Sequence, residues 1–223
     1  MNDSFNPIDR RASVGRSARA LVALAAAALP LVSFAADPVD YTPDYTKFMQ
    51  HSDHQGVHDS VLVRKVHDAT KRYQHIREAL VVDNANKSLP QPQWVVGTPC
   101  VSGPETGAMG IHLVNPNRIA NAKVNFAAPT ALIYEPQADG DMVLVGLEYI
   151  QDAATWQKVN GKGSVPSLDG HLMNFVDAPN RYGLDPFFEI HVWAFEENPK
   201  GAFADWNTHV TCEKQPFNFK VTP

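Results

Sequence analysis

Two histidines and a glutamate stand in runs that are mostly apolar, and the last of these runs carries a second glutamate, Glu189. His112 lies in Met109-Gly110-Ile111-His112-Leu113-Val114-Asn115, and Glu148 in Met142-Val143-Leu144-Val145-Gly146-Leu147-Glu148-Tyr149-Ile150. His191 lies in Phe187-Phe188-Glu189-Ile190-His191-Val192-Trp193-Ala194-Phe195. Burying an imidazole or a carboxylate is costly without a partner, so each is either satisfied by a neighbour or belongs to a site. Two imidazoles and a carboxylate are the ligand set of a mononuclear zinc or of a non-haem iron facial triad. Open positions on such an ion can polarise a substrate or activate water. Without a metal, the same groups can act as an acid–base set, with a histidine near neutral pKa and a carboxylate raised by burial.

On this reading His112, Glu148 and His191 hold one divalent transition metal, zinc or iron. Glu148 is the third ligand or the general base, and Trp193 and Tyr149 belong to a ligand pocket. The competing reading makes the histidines hydrogen-bonded structural residues and pairs Glu148 with Arg118 or Arg181. The three residues are dozens of positions apart, so no local spacing rule decides between the two. Glu135, His171 and His209 form a second tier, read as structural or exposed.

Pleat parity is what allows the three to meet. As strand residues, His112 shares a face with Val114, Glu148 with Leu144 and Gly146, and His191 with Glu189, Trp193 and Phe195. If those faces look into one interior, the groups converge among apolar and aromatic walls, a setting suited to a small molecule. The strands expected to carry them are Trp94–Val96, Met109–Asn115, Thr130–Glu135, Met142–Ile150, Phe187–Phe195 and a last stretch around Phe217–Val221, all bounded by Pro and Gly. Gln137-Ala138-Asp139-Gly140-Asp141 carries hairpin chemistry, and Asn198-Pro199-Lys200-Gly201 reads as a second turn. Thr155–Tyr182 is loop-like, with a helical turn near Ala153–Gln157. Ahead of the strands, Leu62, Val66, Ala69, Tyr73, Ile76 and Leu80 recur at steps of four and three, the apolar stripe of one helix capped by Asp59 or Ser60. The fold class that follows is α+β: one N-terminal amphipathic helix packed on a mainly antiparallel, twisted or barrel-like sheet. Gly103 to Gly110 leads into a strand and not a helix, so it is a turn that admits close backbone approach and not a phosphate cradle.

The chain has 223 residues and a formal net charge of −5. Residues 1–35 read as a signal peptide. Arg10, Arg11, Arg16 and Arg19 form a basic region, and Ala20 to Val32 is apolar but well short of the roughly 20 residues of a membrane span. Ser33-Phe34-Ala35 then sets cleavage between Ala35 and Ala36. Adjacent arginines hint at twin-arginine export, but Ala12-Ser13-Val14 lacks the apolar residues that route expects. Residues 36–59 form an extended lead-in in which His51, His54 and His58 have helical chelating spacing, weakened by Gly56. Residues 60–223 are a single domain. Losing the signal makes the chain more acidic, which excludes nucleic acid as a partner, and the mature chain has no membrane span. A periplasmic or secreted location follows. Cys100 and Cys212 then either bridge or leave a catalytic thiol. An oxidising compartment and the lack of a second cysteine pair favour the bridge, worth about 4–5 kcal/mol in the chain-entropy model.

Several stretches together carry a resemblance. They are Ala69-Thr70-Lys71-Arg72-Tyr73, Gly107-Ala108-Met109-Gly110-Ile111-His112, Tyr134-Glu135-Pro136, Val145-Gly146-Leu147-Glu148-Tyr149 and His191-Val192-Trp193. Asn198-Pro199-Lys200-Gly201-Ala202-Phe203, Asn207 and Cys212 complete them. Over roughly Ser60 to Cys212 the chain resembles a family of exported bacterial proteins of unknown function. It departs at Leu113, where an aromatic is expected, and at Thr208, where proline is. The resemblance implies export, a single domain and the cysteine bridge, and it implies no activity. Function therefore divides between a metal-dependent catalyst acting on a small molecule, a non-catalytic small-ligand module, and a structural envelope protein.

Overall fold

The computed structural model describes residues 60–103 and 106–215. The expected signal with its Ala35–Ala36 cleavage, the histidines of the lead-in and the last expected strand lie outside them.

The chain opens with α1 (Val61–Thr70), followed by a 3-10 turn (Lys71–Gln74) and a π-type turn (Glu78–Asp83). The single long helix expected from the apolar stripe is thus three pieces. Thr70 donates its hydroxyl to the Val66 carbonyl at 2.7 Å, a back-bond that competes with regular helix, and His75 is extended. The tighter 3-10 turn then shifts the buried face: Leu62, Val66, Thr70, Tyr73 and Ala79 are buried, while Ala69 is exposed. Ser60 is the cap residue, but its side chain makes no capping bond.

Thereafter the chain is mostly β. The strands are β1 (Val95–Gly103), β2 (Gly107–Val114), β3 (Ala131–Pro136), β4 (Met142–Asp152), β5 (Ser167–Leu168), β6 (His171–Leu172), β7 (Asn174–Val176) and β8 (Phe187–Val192). Two short helices intervene, α2 (Pro116–Ile119) and α3 (Ala153–Asn160). Asn115 starts α2 and Asp152 starts α3, each accepting a backbone N–H three residues on, the usual work of an N-cap. The stretch expected to be loop between Thr155 and Tyr182 therefore carries the rest of α3 and three short strands.

Six strands form one curled antiparallel sheet in the order β1-β2-β3-β4-β8-β7. Register shifts along β1 and between Ile133 and Tyr134 bend it, as bulges do. Pro99 sits on the edge strand β1, where a missing N–H is tolerated. The turn at Gln137–Asp141 joins β3 to β4, with Gln137 N–H donating to the Asp141 carbonyl and Gly140 N–H to the Gln137 carbonyl, and Gly201 N–H closes the second turn onto Asn198.

The two faces of the sheet differ. One carries Leu113, Leu132, Leu147, Tyr149, Ile190 and Val192, which share a buried cluster with Leu62, Val66 and Tyr73. The other carries the polar residues of the site beside a small cluster of Ala108, Ile133, Val145, Trp193 and Val210. The segment after β8 folds back along the sheet. Ala108 and Asn207 exchange backbone hydrogen bonds, and a Cys100–Cys212 disulfide with a Cα–Cα distance of 5.6 Å ties the segment to β1. Gly107 is required there: its φ is +87°, and a Cβ would lie 2.0 Å from the Asn207 carbonyl oxygen. No helix among the described residues is long and apolar enough to cross a membrane.

Candidate metal centre

Strand pairing sets the site. Ala131 lies opposite Glu148, and Glu148 opposite His191. One step along, His112 lies opposite Ile133, and Ile133 opposite Gly146. Residues two apart on a strand share a face, so His112, Glu148, Glu189 and His191 project from the same side. β3 separates His112 from Glu148, which puts their backbones about 10 Å apart. The two side chains nevertheless meet diagonally across β3, with His112 Nε2 at 3.4 Å from Glu148 Oε2. The His112 and His191 rings meet edge-on with centroids 5.8 Å apart. One ligand atom from each of His112, Glu148 and His191 lies within 4.8 Å of the other two. All three residues are buried, His112 and Glu148 at 6% exposure and His191 at 1%.

Both imidazoles are held by their Nδ1 atoms. His112 Nδ1 is 3.0 Å from the Thr98 hydroxyl, and His191 Nδ1 is 3.0 Å from Glu189 Oε2. Glu189 is fixed in turn by Asn174, whose Nδ2 donates to Oε1 at 3.1 Å, and Asp205 Oδ1 lies 3.8 Å from the same Nδ1. A proton on Nδ1 of His191, donated to Glu189, leaves Nε2 as the atom free to ligate. That Nε2 is buried with no hydrogen-bond partner. Among the described residues only Gln151 Oε1 and Trp156 Nε1 share this condition. Trp193 stacks beside the His191 ring, with centroids 6.1 Å apart and planes 18° apart. Gly146 makes room for it, since a Cβ there would lie 3.1 Å from the indole.

Burial and charge push these groups apart. Burial drives the His112 pKa down to about 3, and the charge of His191 adds to this. Burial raises Glu148 to about 7; His191 opposes the rise, while Glu189 and Asp205 reinforce it. Burial lowers His191, but Glu148, the hydrogen bond to Glu189 and the charge of Asp205 overcome it and carry the ring to about 9. Without a metal the site thus holds a neutral His112, an imidazolium at His191 and a Glu148 poised near neutrality. A divalent ion that displaced the Nε2 proton of His191 would supply the partner that atom lacks.

A cavity of about 300 Å³ opens beside the cluster, lined by Glu148, Glu189, His191 and Asp205 and by residues of the 176–187 segment. Neither Tyr149 nor Trp193 lines it. Tyr149 has the opposite parity to Glu148 and points into the apolar core, where its hydroxyl donates to the Phe126 carbonyl at 2.6 Å. Trp193 lies on Gly146 and donates its indole N–H to the Ala204 carbonyl at 2.5 Å. The arginines weighed as partners of Glu148 take other places. Arg118 stacks over Trp94 and donates to the Pro129 carbonyl, and Arg181 stacks over Trp206. Glu135 accepts from the Thr211 N–H, His171 stacks on Phe203, and His209 lies 3.6 Å from Glu196, so none joins the site.

Thr98, Glu189, Asp205 and Arg181 are the neighbours that sequence reasoning did not assign to the site. Glu189 had a signal, since it is two residues from His191 on the same strand. Asp205 had none, because a loop carries it in, and Arg181 entered only as a possible ion-pair partner of Glu148. The chain matches no protein-family model, no curated protein and no solved structure.

Proposed function

We propose that the protein is an exported metalloprotein that binds one divalent transition-metal ion, zinc or iron, through His112, Glu148 and His191, and that it acts on a small molecule held in the adjoining cavity. The observation that carries this reading is the buried, partnerless Nε2 of His191, on a ring that offers a ligand atom within 4.8 Å of those of a second imidazole and a carboxylate. An unpaired buried polar atom costs roughly 1–3 kcal/mol, and folds keep such atoms where a ligand satisfies them. The hydrogen bonds between Thr98 and His112 and from His191 Nδ1 to Glu189 fit the outer shell that orients metal-bound imidazoles. When bound, the ion supplies Lewis-acid polarisation or an activated water. The chain's own residues set tautomers, exclude water from the far side of the cluster and shape the cavity. Export rests on the signal-like N-terminus, on the resemblance to exported bacterial proteins, and on a disulfide that fits an oxidising compartment.

Elemental analysis after reconstitution with zinc or ferrous iron tests the reading. One equivalent is expected on the native chain, with its loss on His191→Ala and on His112→Ala while thermal unfolding stays cooperative. Absence of bound metal on the native chain would overturn it. Stabilisation of metal-free protein by a small molecule would then favour a plain binding module.

A further inference from the structure

The cavity is chemically asymmetric, and the asymmetry specifies an occupant. We propose that it takes a small carboxylic acid with an apolar body, the carboxylate on Arg181 and the far end toward Glu148 and His191. This rests on the metal-centre reading for its inner end.

Three carboxylates and one guanidinium line the space. Each carboxylate has a local role. Glu148 belongs to the metal cluster, Glu189 is bonded to His191 and Asn174, and Asp205 lies 3.8 Å from His191. Arg181, by contrast, has no ion pair among the described residues although those carboxylates line the same cavity. Its guanidinium lies over the Trp206 ring at 5.2 Å. That contact engages no N–H group in an ion pair, which leaves the guanidinium fork available for a planar oxyanion.

The loop that presents Arg181 is held by its own hydrogen bonds. Asn180 Oδ1 accepts from the Tyr182 and Leu184 N–H groups, and Asn180 Nδ2 donates to the Asp177 and Leu184 carbonyls. The cation is therefore placed before any ligand arrives, which lowers the ordering cost of binding. The apolar lining is Met109, Val176 and Phe187, with Tyr182 bonded to the Met109 sulfur and edge-on to Phe187. A volume of about 300 Å³ is at the small end for ligand pockets, which suits a single ring or a short chain between two polar ends.

The test is calorimetric titration of the cobalt-loaded full chain with benzoate, benzyl alcohol and benzylamine, which share a body and differ in the head group. Benzoate is expected to bind at least roughly tenfold more tightly than the other two. Arg181→Ala is expected to weaken benzoate by roughly tenfold to a hundredfold, with cobalt stoichiometry and thermal unfolding unchanged, because Arg181 is exposed. Arg181→Lys should recover only part of the loss. Benzoate binding that is indifferent to Arg181→Ala, or tighter binding of benzylamine, would overturn the proposal. If the native chain takes up no cobalt, the metal reading fails by itself, and benzoate is titrated into metal-free protein. Binding lost on Arg181→Ala there keeps the acid pocket, and no binding removes it.

Discussion

Two carboxylates lie within the fold in opposite circumstances. Asp83 accepts hydrogen bonds from the Arg72 guanidinium, the Tyr73 hydroxyl at 2.9 Å and the Trp94 indole at 2.9 Å. Burial alone would raise its pKa, but the bonds from Trp94, Arg72 and Tyr73 outweigh that and hold it below the usual carboxylate range. Glu148 has the 3.4 Å approach of His112, itself a neutral ring, and the charge of His191, but burial, with Glu189 and Asp205 beside it, outweighs that charge and pushes it up to about 7. One cluster is closed, with donors matched to acceptors. The other is left short of positive charge beside an unpartnered imidazole nitrogen. A polar cluster that serves only the fold has no reason to be left in the second state.

The difference predicts opposite responses to truncation. Asp83→Ala leaves the Trp94 and Tyr73 donors without their acceptor inside a packed region, and should lower stability by about 2–4 kcal/mol, read as a fall in the denaturation midpoint at unchanged slope. Metal uptake should be unaffected, because Asp83 touches none of the three proposed ligands. A drop below about 1 kcal/mol would mean that the Asp83 cluster is looser than its distances suggest, and the comparison would lose one side.

Glu148→Gln sharpens the other side. The substitution keeps shape and removes a charge that the buried site disfavours, so the metal-free protein should lose no stability and gain up to about 1 kcal/mol at neutral pH. The same variant should lose metal affinity by roughly a hundredfold or more, because an amide cannot replace an anionic ligand. Destabilisation comparable to that of Asp83→Ala would instead assign Glu148 to the architecture.

What the sequence made legible follows from the same physics. Strands β2, β3, β4 and β8 could be found because their apolar runs are long and bounded by turn residues, and parity along them put His112, Glu148 and His191 on usable faces. Parity also held information that went unused: Tyr149 follows Glu148 directly, so a strand that turns Glu148 toward the site turns Tyr149 away from it. Trp193 has the same parity as His191, but Gly146 draws its ring down onto the neighbouring strand, which depends on a pairing register the sequence does not state. The helix broke where Thr70 bonded backward and Asp83 gathered Arg72, Tyr73 and Trp94, contacts between residues about ten apart that periodicity does not register. Asp205 and Arg181 reach the cavity on loops whose course depends on the whole sheet, so no local pattern marks them.

The smallest expected effect concerns pH, and there the two carboxylates should separate by sign. Asp83 has a folded pKa below its unfolded value, so the stability it contributes is present above the unfolded value and is lost as pH falls through the folded one. Glu148 in the metal-free protein has a folded pKa raised from 4.5 to about 7. Its contribution is therefore present below 4.5 and lost as pH rises toward 7. His191, raised from 6.5 to about 9, adds a loss in the same direction over the higher interval. Denaturation midpoints of the metal-free chain measured from pH 2 to pH 9 should thus show an acid limb, below the unfolded value of 3.8, that flattens in Asp83→Asn. A decline from weakly acidic to neutral pH should flatten in Glu148→Gln. Adding one equivalent of metal should remove that second decline in the native chain, because the bound ion stabilises the deprotonated carboxylate and the neutral ring. A decline that persists in Glu148→Gln or in the metal-loaded chain would show that some other group titrates there, and would deprive the His112–Glu148–His191 cluster of its electrostatic signature.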